Sequence, residues 1–223
     1  MKQTLKNKII FPVILAVPEN EKNLNGRKKV EALSARARFA LEISSIKSGV
    51  NIGRLTKNED GAPVPFDGNF WSVTHKSEYV GGVIARRETG IDIEKIKPCS
   101  KALCNKIAEP REWALSDSDR EILFFRFWTS KEAVLKAAGT GIIGLSGCRI
   151  EKILSDNSLI VNYNGRIWEI RHYFFGTHIA SVVSNGLDIE WTLLRDFSYS
   201  SPSLQLSPSS SPPLMGVDKG GMK

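Results

Sequence analysis

Asp92 and Glu94 stand two residues apart in Gly90-Ile91-Asp92-Ile93-Glu94, alternating with isoleucines. On a β-strand successive side chains point to opposite faces, so the two carboxylates share one face while Ile91 and Ile93 turn to an apolar layer behind. Like charges on one face repel. A proton on one of them or a cation between them relieves the repulsion, and a hard, oxygen-preferring ion such as Mg²⁺ suits such a pair. Taken alone, D-x-E also describes the polar face of an ordinary edge strand. A second group shifts the balance. In Phe127-Trp128-Thr129-Ser130-Lys131-Glu132-Ala133-Val134-Leu135-Lys136, residues Trp128, Glu132 and Lys136 are four apart and fall on one helical stripe. As an exposed i, i+4 pair, Glu132 and Lys136 would add only about 0.2 to 0.5 kcal/mol. With Trp128 beside them the stripe is expected to be half-buried, where a glutamate and a lysine need partners such as a metal and a phosphate. Gly139-Thr140-Gly141 then stops the helix and offers bare backbone to a ligand.

These residues need elements to hold them. The apolar run Ile9 to Val17 contains Pro12 and leads into Pro18-Glu19-Asn20 without a small-residue cleavage site, so it reads as a first strand rather than a targeting segment. Val30 to Ser48 has apolar residues at near-helical spacing and carries Arg36 and Arg38, either solvated or reaching a phosphate. Asn58 to Pro63 is a turn cluster, and Phe70 to Thr74 is a strand ending at His75, which is either a structural hydrogen-bonder or a holder of a phosphate oxygen. Tyr79 to Arg86 and Gly90 to Ile96 are expected to pair as a hairpin across Arg87-Glu88-Thr89. From Ser100 to Ala138 the pattern is helical, its last and longest piece entered through Ser116 to Asp119. Arg149 to Leu194 alternates as five strands.

A faint internal repeat runs through this order. His178 to Val183 followed by Gly186-Leu187-Asp188-Ile189-Glu190 parallels Tyr79 to Ile84 followed by Gly90-Ile91-Asp92-Ile93-Glu94. The expected fold is α+β: a pseudo-duplicated pair of lobes with antiparallel sheets and packed helices, and an active site at their junction. The expected division is an N-terminal lobe over 1–97, a C-terminal lobe over 98–197, and a disordered Ser- and Pro-rich tail over 198–223.

Composition narrows the partners. With 31 Lys and Arg against 24 Asp and Glu, the chain of 223 residues carries a net charge of +7, which favours anionic partners. No segment approaches the roughly 20 apolar residues of a membrane span, and no stripe of basic residues interleaved with aromatics marks a nucleic-acid module. Cys99, Cys104 and Cys148 match no metal-ligand spacing, and their odd number argues against a disulfide framework, so a cytoplasmic protein is expected.

The strand motif Gly90 to Lys95 and the helix motif Phe127 to Lys136, in this order and separation, resemble the signature pair of the 4′-phosphopantetheinyl transferases of the two-lobed surfactin-synthetase-activator type. Gly61-Ala62-Pro63 resembles that family's G-K-P turn, Trp71 to His75 its N-[IL]-S-H strand, and Glu112 falls at a third acidic position. Ala62, Thr74 and Lys76 depart from the pattern. The resemblance covers roughly residues 30 to 190. It implies that Asp92, Glu94 and Glu132 hold Mg²⁺, that Lys131 and Lys136 neutralise phosphate oxygens, and that Arg36, Thr74 and His75 contact coenzyme A. It also implies that a serine of an acidic acyl or peptidyl carrier protein attacks the β-phosphorus of coenzyme A, releasing adenosine 3′,5′-bisphosphate, with Glu132 as the candidate base. A monomer acting as a pseudodimer is the expected state. A non-catalytic coenzyme A binder and a basic nucleic-acid module are the alternatives.

Overall fold

In the computed structural model, residues 8–59 and 61–195 are described; the expected tail over 198–223 lies outside them. Pro12 lacks an N–H and splits the first strand into β1 (Ile9–Ile10) and β2 (Val13–Ala16). A short helix α1 (Glu19–Lys22) leads to α2 (Gly26–Ser48), which starts a turn earlier than its apolar spacing indicated. After a long irregular loop come β3 (Phe70–His75), β4 (Tyr79–Ala85) and β5 (Ile91–Lys95). The helices α3 (Lys101–Ile107), α4 (Pro110–Trp113) and α5 (Arg120–Ala138) follow, then a 3-10 turn (Ile142–Gly147). Strands β6 (Cys148–Ser155), β7 (Ser158–Tyr163), β8 (Arg166–Phe175) and β9 (His178–Val183) form a meander, and the described chain ends in β10 (Asp188–Ile189) and β11 (Thr192–Leu194).

Two larger sheets organise these strands, in the orders β11-β2-β4-β3 and β5-β9-β8-β7-β6, beside a small β1-β10 pair. The expected β4–β5 hairpin does not form. Both edges of β4 are taken, by β2 and β3, so no hydrogen-bonding edge remains for β5. The segment after Ala85 instead carries the chain across to the second sheet, where β5 pairs antiparallel with β9, Asp92 opposite Ser181. The expected last strand over Leu187 to Leu194 is likewise two short ones, joined in parallel to β1 and β2 in the first half of the chain. Strands therefore cross residue 97 in both directions; the five-stranded sheet is antiparallel throughout, as expected, whereas the four-stranded sheet is mixed through the parallel β11-β2 pair and the β1-β10 pair is parallel.

The exchange puts β5 between the sheets. Ile91 packs with Val83 of β4 and Val182 of β9, and Ile93 with Ile14 of β2 and Ala180 of β9; both isoleucines are fully buried. The opposite face of β5 is left to α5. That helix begins at Asp119, whose carboxylate accepts from the Glu121 and Ile122 amides, and ends at Gly139 in the left-handed region. It is buried around most of its circumference, with Leu123, Phe124, Phe127, Val134 and Leu135 in the largest core cluster. No helix among the described residues is long and apolar enough to cross a membrane.

Candidate active site

Three elements converge on one cavity of about 320 Å³: the end of β3, the polar face of β5 and the last two turns of α5. The Gly61 to Pro63 turn and Gly139 with Gly141 close its sides. Asp92 is 2% exposed. Its Oδ1 accepts from Thr74 Oγ1 at 3.0 Å and from Lys136 Nζ at 2.8 Å. Its Oδ2 is buried without a hydrogen-bond partner. Lys136 Nζ also donates to the Ile91 carbonyl at 3.0 Å, which fixes the helix end against the strand.

Glu94 lies one pleat further along the same face, as the alternation requires. Its Oε1 accepts from Lys76 Nζ at 2.6 Å and from the Trp128 indole at 2.9 Å. The stripe Trp128, Glu132, Lys136 thus faces β5 along its length: Trp128 meets Glu94, Lys136 meets Asp92, and Glu132 lines the cavity between them. Glu132 has no hydrogen bond or ion pair among the described residues, and burial, then Asp92 and Glu94, push its carboxyl up against the opposing pull of Lys136 and Lys76. Burial alone would lower Lys76, but Asp92, Glu94 and Glu132 more than offset it and hold the ammonium raised. His75 also lines the cavity and is pushed down by burial and by Lys136, Lys57 and Lys76.

The expected phosphate-binding residues divide into two groups. Thr74, His75 and Lys136 reach the cavity. Arg36 does not line it: its guanidinium makes a two-pronged ion pair with Glu21, at 2.6 and 2.8 Å. Lys131 is five residues before Lys136, about 140° around the helix, and points into the core on another side. It donates to the Ile107 carbonyl at 2.6 Å and pairs at 2.7 Å with Glu112, both side chains almost fully buried. Glu112 in turn accepts from the Glu109 and Ile150 amides, so the third acidic position is a structural one. The cations that do line the cavity beside Lys136 are Lys57 and Lys76. Lys57 stands in a loop with no periodic pattern, and only its proximity to the Gly61 turn could have pointed to it.

The fit to a divalent cation can be tested on the donors. Among the described residues, no three His, Cys, Asp or Glu side chains are grouped as a ready metal cage. The oxygen chemistry nevertheless suits Mg²⁺, because Asp92 presents a buried, unpartnered carboxylate oxygen and Glu132 is destabilised by the neighbouring acids.

Residues 88–183, which include β5, α5 and β9, match the family model of the 4′-phosphopantetheinyl transferase superfamily. The chain is 41% identical over 70 residues to the 4′-phosphopantetheinyl transferase HetI of Nostoc sp., covering 29% of this chain and 30% of that protein. It is 35% identical over 91 residues to the transferase gsp of Aneurinibacillus migulanus, 39% of this chain and 38% of that protein. A Haemophilus influenzae relative bearing the family's name is 28% identical over 168 residues, 69% of this chain and 71% of that protein. The chain thus spans about a third of the first two relatives and more of the last. The strand and helix motifs meet at one cavity inside residues 88–183, the segment that is similar to the 4′-phosphopantetheinyl transferase superfamily.

Proposed function

We propose that the protein transfers the 4′-phosphopantetheine group of coenzyme A to a serine hydroxyl of an acidic apo acyl or peptidyl carrier protein, as a cytoplasmic pseudodimeric monomer of the surfactin-synthetase-activator type. The observation that carries the reading is the cavity in which Asp92 and Glu132 stand beside Lys57, Lys76, Lys136 and His75. Acids that suit a divalent cation next to cations that suit phosphate are the elements a pyrophosphate needs.

Asp92, Glu94 and Glu132 are the residues that would hold Mg²⁺, which when bound supplies charge neutralisation on the pyrophosphate. The chain's own residues do the rest. Lys57, Lys76 and Lys136 draw the phosphates into the cavity and hold their negative charge. Thr74 keeps Asp92 oriented through its hydroxyl, and His75 presents a ring nitrogen to phosphate oxygens. The serine hydroxyl attacks the β-phosphorus, the bond from that phosphorus to the bridging oxygen breaks, and adenosine 3′,5′-bisphosphate leaves. Glu132, which lines the cavity and has no hydrogen bond or ion pair to its side chain among the described residues, receives the serine proton. Arg36 and Lys131 have no part in this, since both are engaged elsewhere.

The test is to incubate the protein with coenzyme A, Mg²⁺ and an apo carrier protein and to weigh the carrier. A carrier heavier by one phosphopantetheine group, with adenosine 3′,5′-bisphosphate released in equal amount, is expected. An unmodified carrier with intact coenzyme A bound to the protein would leave the non-catalytic binder as the reading.

A further inference from the structure

Cys99 and Cys104 bracket the start of α3, outside the cavity described above. Ser100 is the N-cap of that helix, its hydroxyl accepting from the Leu103 amide at 3.3 Å. Cys99 is therefore the residue before the cap and Cys104 the fourth helical residue, the two positions whose side chains meet in a hydrophobic staple. Here the staple is a pair of thiols, Sγ to Sγ 3.2 Å. A disulfide is about 2.05 Å long, so closing the bond needs the sulfurs to approach by about 1.2 Å. The two thiols also differ in access. Cys104 is 4% exposed, whereas Cys99 is half-buried on the rim of a groove that includes Leu103, Glu94 and Trp128.

We infer that Cys99 and Cys104 are a reversible redox site, which closes to an intramolecular disulfide when a small disulfide such as oxidised glutathione is in excess. The Cys99 thiolate attacks one sulfur of the small disulfide, giving a mixed disulfide and one small thiolate that takes up the proton Cys99 lost. Cys104, already beside Cys99 Sγ, then displaces the second small thiol and its proton leaves with it. The protein loses two hydrogens and the small disulfide becomes two thiols. Burial and the adjoining Cys104 push the Cys99 thiol up to about 11, so the first step is slow at neutral pH and quickens about tenfold per pH unit. Cys148 is fully buried in the core and takes no part. Once closed, the bond ties the Pro98 segment to α3 and fixes one wall of the groove beside Trp128, whose indole donates to Glu94.

The experiment exposes the full chain to oxidised and reduced glutathione at pH 7 and pH 9, followed by acid quench, alkylation and mass measurement. The three thiols of the chain should fall to one, the mass should drop by two hydrogens, and a peptide should link positions 99 and 104. The reaction should run about a hundredfold faster at pH 9 than at pH 7 and reverse with dithiothreitol. Cys148→Ser should behave as the natural protein, and Cys104→Ser should stop at a glutathione adduct on Cys99. Retention of all thiols, a lasting glutathione adduct on Cys99 in the natural protein, or a bond to Cys148 or to a second chain would each overturn the inference. Because the unsubstituted protein gives the deciding readout, a variant that fails to fold does not blunt the test.

Discussion

Lys136 Nζ and Asp92 Oδ1 meet at 2.8 Å, joining the last turn of α5 to the middle of β5. The contact uses one oxygen of a buried carboxylate and leaves the other unpartnered in a cavity shared with Glu132. The two motifs are thus halves of one site, and each half can be disturbed separately.

Asp92→Asn keeps an oxygen for Thr74 and Lys136 but removes the charge. Transfer should fall by at least about a hundredfold, while unfolding free energy should change by no more than about 1 kcal/mol because the hydrogen bonds persist. In the metal-free protein Glu132, still pushed up by burial but with one neighbouring acid gone, should move part of the way back toward the ordinary carboxylate range, which a carboxyl titration followed by NMR would show. Near-normal turnover by this variant would remove Asp92 from the proposed chemistry.

Lys131 and Lys136 lie on one helix, each paired with a buried carboxylate, yet should respond differently. Lys131→Met strands Glu112 as a buried charge, a loss of about 3 to 5 kcal/mol that a urea titration would register. Lys136→Met takes the cation from Asp92, whose side chain is 3% exposed, so it should also cost stability, but less than Lys131→Met because Lys136 is itself 26% exposed and Thr74 still donates to Asp92. What sets it apart is a raised KM for coenzyme A and a lower kcat per folded molecule. A Lys131→Met protein that is as stable as its parent would contradict the buried pair.

The contrast between these lysines marks how far the sequence could be read. The alternation of Ile91 and Ile93 with Asp92 and Glu94, and the four-residue spacing of Trp128, Glu132 and Lys136, were legible because strand and helix periodicity act locally. Pairing was not. The β4–β5 turn reads as a hairpin in isolation, and only the occupation of both β4 edges by β2 and β3 sends β5 to β9. Arg36 and Lys131 stand away from the cavity for a related reason: each found a carboxylate, Glu21 or Glu112, brought by a distant part of the chain. Lys57 was missed because a loop residue has no period to betray its direction.

All three histidines, His75, His172 and His178, are pushed below the usual histidine range, in each case first by burial. His172 is the extreme, at about 3, with its Nδ1 on Ser181 Oγ at 2.8 Å and Arg126 adding to the effect. A histidine that is harder to protonate when folded leaves the unfolded chain binding more protons, so stability rises with pH across the window. Stability is complete above about 6.5 and is lost as pH falls, His172 alone costing about 1.4 kcal/mol per unit down to about 3. Unfolding measured at pH 7, 6 and 5 should show this slope. His172→Gln should flatten it, and an unchanged slope in that variant would place the acid sensitivity elsewhere.

Gly90 opens the carboxylate motif, and its lack of a side chain governs how closely helix and strand approach. A Cβ there would lie 2.0 Å from the Ala133 carbonyl oxygen and 2.8 Å from the Ala137 nitrogen, both backbone atoms of α5 that cannot rotate away. Gly90→Ala must therefore push α5 off β5 or bend the strand, an overpacking cost of about 1 to 3 kcal/mol or more. The displacement falls between Glu132 and Lys136, so the Lys136 to Asp92 contact should open with it. Transfer should drop by more than the loss of folded protein explains, even at a temperature where circular dichroism shows the variant fully folded. Gly81→Ala serves as a comparison, since the three atoms nearest to a Cβ there belong to the side chains of Ile93, Ile91 and Thr74, the closest at 2.9 Å. If Gly90→Ala lost stability but kept its turnover per folded molecule, the spacing of α5 and β5 would not be what sets the site.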